Sequence, residues 1–120
     1  MAKNILVVDD SASVRTLLNV TLSNADYNVV EAVDGKDALP KIANQRFDLV
    51  ISDVNMPNLD GIGLVKEIKT NALNKFTPII MLTTESGSTK MQQGKEAGAK
   101  AWIVKPFDRE TLLGAVNKLC

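Results

Sequence analysis

Four short apolar runs, each stopped by a polar or charged residue, constrain this chain more than any other feature. Ile5-Leu6-Val7-Val8 stops at Asp9-Asp10, and Phe47-Asp48-Leu49-Val50-Ile51-Ser52 stops at Asp53. Pro78-Ile79-Ile80-Met81-Leu82 stops at Thr83, and Ala101-Trp102-Ile103-Val104 stops at Lys105. Runs of this length and composition read as strands buried on both faces, as in a parallel sheet. In a parallel sheet all four polar endings meet on one edge, the edge where open α/β sheets bind ligands. Acids, a hydroxyl and an ammonium would then share one small surface.

Helical patterns separate the strands. Strands are expected near 4–9, 28–32, 48–53, 78–83 and 101–104. A first helix near 13–24, with Ser11 or Ser13 as N-cap, presents Val14, Leu17, Leu18 and Leu22 at amphipathic spacing. A second, near 36–44 after Asp34-Gly35, would bury Leu39, Ile42 and Ala43, and Pro40 inside it should kink or shorten it. A third, near 62–71 after Asp60-Gly61, carries Leu64, Val65 and Ile68; a fifth, near 109–119, has Asp108 as N-cap and a stripe of Leu112, Leu113, Val116 and Leu119. The fourth, near 88–97, offers the core little beyond Met91 and Ala97 and has Gly94 in its middle. An element with so little apolar area to bury is expected to be loosely held and able to move. Gly35, Gly61 and Gly98 read as turn and cap residues.

Five β/α units with short, right-handed connections give a doubly wound α/β domain. The strand order 2-1-3-4-5 sets strands 1 and 3 side by side and brings Asp9, Asp10 and Asp53 together at the switch point. The 120 residues make one compact domain with a core of its own. The 14 basic and 14 acidic residues balance, which argues against non-specific nucleic-acid binding and against a polybasic membrane anchor. No apolar stretch approaches the ~18 residues of a spanning helix, and the N-terminus has no signal-peptide pattern. The lone cysteine, Cys120, cannot form an internal disulfide, which suits a reducing cytoplasm. With no histidine in the chain, histidine metal sites and histidine general bases are excluded.

Crowded carboxylates repel: two unit charges ~4 Å apart at an effective dielectric near 20 cost ~4 kcal/mol. Either one protonates or a cation neutralises the group. A hard divalent ion such as Mg²⁺, content with one or two carboxylates, waters and a phosphoryl oxygen, suits this donor set. A carboxylate is also a nucleophile toward phosphorus, and phosphoryl transfer requires mainly positioning and charge neutralisation. Lys105 and the Thr83 hydroxyl are of the types that serve the transferred group. Taken singly, each residue has an ordinary reading: Asp as a turn or cap residue, Lys before Pro as surface, Thr as strand. Their coincidence on one edge is what independent ordinary causes do not predict.

Asp9-Asp10, the segment Asp53-Val54-Asn55-Met56-Pro57-Asn58-Leu59-Asp60-Gly61, the turn Leu82-Thr83-Thr84-Glu85 and the ending Val104-Lys105-Pro106-Phe107 together resemble a response-regulator receiver domain. The resemblance spans the whole chain, residues 1–120, and implies a flavodoxin-like (βα)5 fold with no output domain. It implies Asp53 as phosphoacceptor, with Mg²⁺ held by Asp10, by Asp9 mainly through water, by Asp53, and by the Asn55 carbonyl. Thr83 would be the switch hydroxyl. Lys105 would pair with the phosphoryl group and be joined to Pro106 by a cis bond. Asn55 and Glu85 would tune dephosphorylation. Where the family commonly has Tyr or Phe on the fifth strand, this chain has Trp102, either a core residue or the coupled aromatic that swings inward when Thr83 shifts.

The partners implied are a sensor histidine kinase, for chemotaxis CheA, and a downstream protein such as the flagellar motor switch. That protein would meet the face made by the fourth helix, fifth strand and fifth helix. The resemblance implies a cytoplasmic monomer that catalyses only its own phosphorylation and dephosphorylation. Other readings stay open at this stage. They are a receiver serving another pathway or draining phosphate, a phosphate-independent adaptor, a phosphatase of the haloacid-dehalogenase type, and a flavodoxin-like cofactor binder.

Overall fold

The computed structural model of the chain describes residues 2–56, 58–83 and 88–120, except the side chains of residues 88–91 and 94. Glu85, Thr84 and Pro57, and the Met91 side chain, lie outside that description. The elements run β1 (Asn4–Val8), α1 (Ala12–Ser23), β2 (Asn28–Ala32), α2 (Gly35–Asn44), β3 (Leu49–Asp53), α3 (Gly61–Thr70), β4 (Ile79–Thr83), α4 (Ser88–Ala97), β5 (Ala101–Val104) and α5 (Arg109–Leu119). All strands are parallel, in the order β2-β1-β3-β4-β5. This is the flavodoxin-like, doubly wound fold, with boundaries within about two residues of expectation.

The pleat sends alternate residues to opposite faces. Leu6, Val8, Val50, Ile79 and Met81 face Ala38 and Ile42 of α2 and Leu64, Val65 and Ile68 of α3. Ile5, Val7, Leu49, Ile51, Ile80 and Leu82 face Leu18 and Leu22 of α1 and Leu112 and Val116 of α5. Both sheet faces are therefore dry, which is why the strand sequences are continuously apolar. The helices start where their caps dictate. Ser11, Asp34, Asp60 and Asp108 each accept the backbone N–H three residues on.

Two expectations about the helices are corrected, and a third is answered in part. Leu17 is 52% exposed, and Thr21 joins Leu18 and Leu22 in the buried face of α1. Ala43 is exposed, and Ala38 takes its place in the buried face of α2. Pro40 does not shorten α2, which runs on to Asn44; Pro40 is exposed, so its ring sits on the solvent side. In α4 the described side chains agree with a thin apolar face: Gln92, Gln93, Lys95 and Glu96 are exposed, and only Ala97 packs on the core. No helix among the described residues is long and apolar enough to cross a membrane.

Two polar anchors hold the far end of the sheet. Buried Asn74 donates to the carbonyls of Ile42 and Gln45 and accepts from the Phe47 N–H, while Thr77 donates to the Phe47 carbonyl. These bonds tie the segment before β4 to the segment before β3, so the two strands enter the sheet in fixed register.

Candidate functional site

The strands deliver their polar endings to one edge. Asp9 lies just past β1, where its N–H still donates to the Ala32 carbonyl at 3.2 Å. Asp53 is the last residue of β3. Because β1 and β3 are neighbours, carboxylate oxygens of Asp9, Asp10 and Asp53 all lie within 4.8 Å of one another. Asp9 and Asp53 are buried and Asp10 is exposed, so the cluster opens to solvent on one side. Lys105 reaches in from beyond β5. Its Nζ donates to Asp9 Oδ2 at 2.7 Å and lies 3.4 Å from Asp53 Oδ1. The Lys105–Pro106 peptide is cis, as the resemblance implied.

Asp9 is fixed at both ends. Its Oδ1 accepts the Ser11 N–H at 2.9 Å, and its carbonyl accepts from Arg15 Nη1 at 2.7 Å. Arg15 also pairs with Glu31 at 3.3 Å. Burial holds the Asp53 carboxyl above the usual carboxylate range, and the neighbouring Asp9 adds to the rise. Lys105 works in the opposite direction and favours the anion. A hard divalent cation fits this donor set: oxygen ligands only, at least two acids with one open to water, and more negative charge than one ammonium balances.

Thr83 is buried at the end of β4, and its carbonyl accepts the Lys105 N–H at 2.6 Å. Trp102 stands opposite Met81, and Val104 opposite Thr83. Two-residue alternation therefore places Trp102 on the same sheet face as Thr83, one pleat back. The indole is half-buried against the α2–α3 core, and its Nε1 is enclosed with no hydrogen-bond partner among the described residues. Asn55 lies in the loop after β3, two residues beyond Asp53. The edge thus gathers Asp9, Asp10, Asp53, Thr83 and Lys105, with Asn55 in the adjoining loop; Glu85 lies outside the described residues.

Sequence reasoning missed three contributors. Arg15 supports the Asp9 carbonyl from α1. Ser52 Oγ donates to the Asp53 carbonyl at 2.9 Å. Asp34 accepts from Asn58 Nδ2 at 2.7 Å, joining α2 to the loop after β3. The only hint of the last was the polar Asn58 inside a loop already singled out.

Three clustered acids with a lysine across them, at the edge of a doubly wound five-stranded sheet, are the arrangement that the sequence resemblance to a receiver domain implied. Residues 5–117 match the response regulator receiver domain family, and the chain belongs to it. It is CheY-like. Chemotaxis protein CheY4 of Vibrio cholerae superposes with a TM-score of 0.96 at 47% identity, each chain covered completely. Protein PilG of Pseudomonas aeruginosa is 38% identical over 113 residues, 94% of this chain and 84% of that one. The receiver domain of sensor histidine kinase PA1611 from P. aeruginosa, solved with a magnesium ion coordinated in its active-site cleft, superposes with a TM-score of 0.92 at 28% identity. It covers 99% of this chain and 98% of that one. Membership in this family displaces the phosphatase and flavodoxin readings.

Proposed function

We propose that this chain is a phosphorylation-activated response regulator that accepts a phosphoryl group on Asp53 from a phosphohistidine of a sensor kinase. The observation that carries the proposal is the convergence of Asp9, Asp10 and Asp53 within 4.8 Å, with Lys105 set between Asp9 and Asp53. Asp9, Asp10, Asp53 and the Asn55 carbonyl are the groups that would hold Mg²⁺, and the magnesium ion in the active-site cleft of the PA1611 receiver supports a metal in this cleft. When bound, Mg²⁺ supplies positive charge that neutralises the acids and the phosphoryl oxygens.

The chain's own residues do the rest. Lys105 favours the anionic, nucleophilic form of Asp53 against the burial and the neighbouring Asp9 that oppose it. An Asp53 oxygen forms a P–O bond as the P–N bond to imidazole breaks. The imidazole leaves with that electron pair and takes a proton from solvent, and Asp53 becomes an acyl phosphate. Lys105 then pairs with a phosphoryl oxygen, and the Thr83 hydroxyl donates to another. Water attacking phosphorus returns inorganic phosphate and the free carboxylate, at a rate tuned by Asn55 and Glu85. The chain is in this sense the catalyst of its own phosphorylation and dephosphorylation.

The shared sheet face of Thr83 and Trp102 supports a coupled switch between β4 and β5. As Thr83 turns toward the phosphoryl group it leaves space on the sheet face it shares with Trp102, and the indole moves inward. The population shifts toward a form whose α4–β5–α5 face binds a target protein. Similarity to CheY4, a chemotaxis protein, supports CheA as the kinase and the flagellar motor switch as the target. The alternative is a stand-alone receiver that serves another pathway or drains phosphate. Transfer of label from autophosphorylated CheA, followed by capture of motor-switch protein with and without beryllofluoride and Mg²⁺, tests both steps. Rapid transfer and beryllofluoride-dependent capture are expected. Transfer without capture of the motor protein moves the output to another pathway or to a phosphate sink, and no transfer from any histidine kinase overturns the proposal.

A further inference from the structure

The loop between β3 and α3 carries Asn55 at one end and is held at the other by contacts unrelated to the acid cluster. Asn58 sits in the left-handed region at φ 70°, a conformation that asparagine tolerates better than most residues. From there its Nδ2 donates to Asp34 Oδ2 at 2.7 Å. Asp34 is the N-cap of α2, and its other oxygen accepts the Asp37 N–H at 2.7 Å. Both bonds favour the anion, and the Asp34 carboxyl lies below the usual range, through the Asp37 N–H first and the Asn58 amide second. The next residue, Leu59, lies against Gly35, the first residue of α2. A Cβ at Gly35 would stand 2.4 Å from the Leu59 carbonyl oxygen and 2.9 Å from its Cβ. Met56 and Leu59 also pack on the α2–α3 core.

We propose that the N-terminus of α2 is a positioning platform for this loop, and that the Asp34–Asn58 clasp sets the placement of Asn55 and thereby the affinity of the acid cluster for Mg²⁺. Asp34 and Asn58 are positioning residues that touch neither metal nor phosphoryl group. The inference rests on the proposed function, because it gives the Asn55 carbonyl a metal to face. The hydrogen bond spans 24 residues of sequence and joins the loop to the N-cap of α2 through side chains. Without it the loop keeps its apolar anchors and the Gly61 N–H bond to the Val54 carbonyl at its base, but loses its side-chain registration on α2. Partners that orient metal ligands without touching the metal commonly change affinity ~10-fold or more.

The test uses the full chain and two substitutions that spare the fold. Asn58→Gly removes the amide while suiting the left-handed backbone. Asp34→Ser keeps an N-cap oxygen for the Asp37 N–H but cannot reach Asn58. Mg²⁺ affinity of the unphosphorylated protein is measured by calorimetry, alongside urea unfolding and phosphorylation by a small phosphodonor across a Mg²⁺ series. Each variant is expected to bind Mg²⁺ about tenfold more weakly. The double variant should be no weaker than the worse single one, and phosphorylation at saturating Mg²⁺ should stay near wild type. If folded Asn58→Gly and Asp34→Ser bind Mg²⁺ like wild type, the clasp does not position the site. Should Asp34→Ser fail to fold, Asn58→Gly alone decides. A wild-type chain that binds no Mg²⁺ overturns the proposed function itself, a different failure.

Discussion

Replacing Lys105 with methionine removes the cation that lies between the buried acids while keeping most of the side chain's bulk. At an effective dielectric near 20, a charge pair at 2.7 Å is worth about 6 kcal/mol and one at 3.4 Å about 5 kcal/mol, before desolvation. The ammonium is only 14% exposed, so freeing it from burial returns several kcal/mol of that gross attraction. What stays uncompensated is Asp9 beside Asp53, and a broken buried pair of this kind costs about 3 kcal/mol. We therefore expect Lys105→Met to lower unfolding free energy by about 3 kcal/mol at neutral pH without metal.

The loss depends on pH in a definite direction. Asp53 holds its proton more tightly in the folded chain than in the unfolded one. Its charge thus opposes folding above the folded pKa, and this opposition is relieved as pH falls through that pKa toward the ordinary carboxylate value. Without Lys105 the rise is larger, so acidification should recover more stability in the variant than in wild type. Added Mg²⁺ should also stabilise the variant more, because a second cation no longer competes for the acids. Urea unfolding followed by circular dichroism at pH 7 and pH 5, with and without Mg²⁺, measures all three effects. A variant as stable as wild type at pH 7, or one insensitive to both acid and Mg²⁺, would refute the electrostatic reading of the site.

Other substitutions probe the frame around the acids. Gly61→Ala places a Cβ 2.2 Å from the Asp53 carbonyl oxygen, and we expect a loss of about 3 kcal/mol in thermal or urea unfolding. Asn74→Ala leaves the Phe47 N–H and the Ile42 and Gln45 carbonyls without their partner, at a cost of about 3 kcal/mol by the same measurement. Pro40→Ala restores a backbone donor inside α2 at an exposed position and should stabilise the chain by about 1–3 kcal/mol. Trp102→Phe removes an enclosed, unpartnered indole N–H, which offsets the smaller apolar burial, so stability should change by less than about 1 kcal/mol.

The strands and their order were legible because burial on both faces leaves an unmistakable mark: Ile5 to Val8 and Ile79 to Leu82 have no polar interruption until the site begins. That Asp9, Asp10, Asp53, Thr83 and Lys105 share one edge followed from parallelism, and the doubly wound strand order then set the acids of β1 and β3 side by side. Helix faces were less legible. Leu17 and Leu18 are adjacent, about 100° apart on the helix, and composition does not say which one α1 turns inward. Ala38 and Ala43 pose the same ambiguity in α2. The polar ties were not legible at all. Asn58 meets Asp34, and Asn74 meets Gln45, through contacts that only the tertiary fold creates. No periodicity marks them.

The central claim is that the clustered acids hold a divalent cation while Asp53 takes the phosphoryl group. Intact-mass analysis of the chain after incubation with a small phosphodonor tests it most directly, using wild type and Asp53→Asn, each with Mg²⁺ or with chelator. The account predicts one hydroxylamine-labile phosphoryl group in wild type with Mg²⁺ and little or none in the other three samples. Equal phosphorylation of Asp53→Asn, or wild-type phosphorylation untouched by chelation, would contradict it.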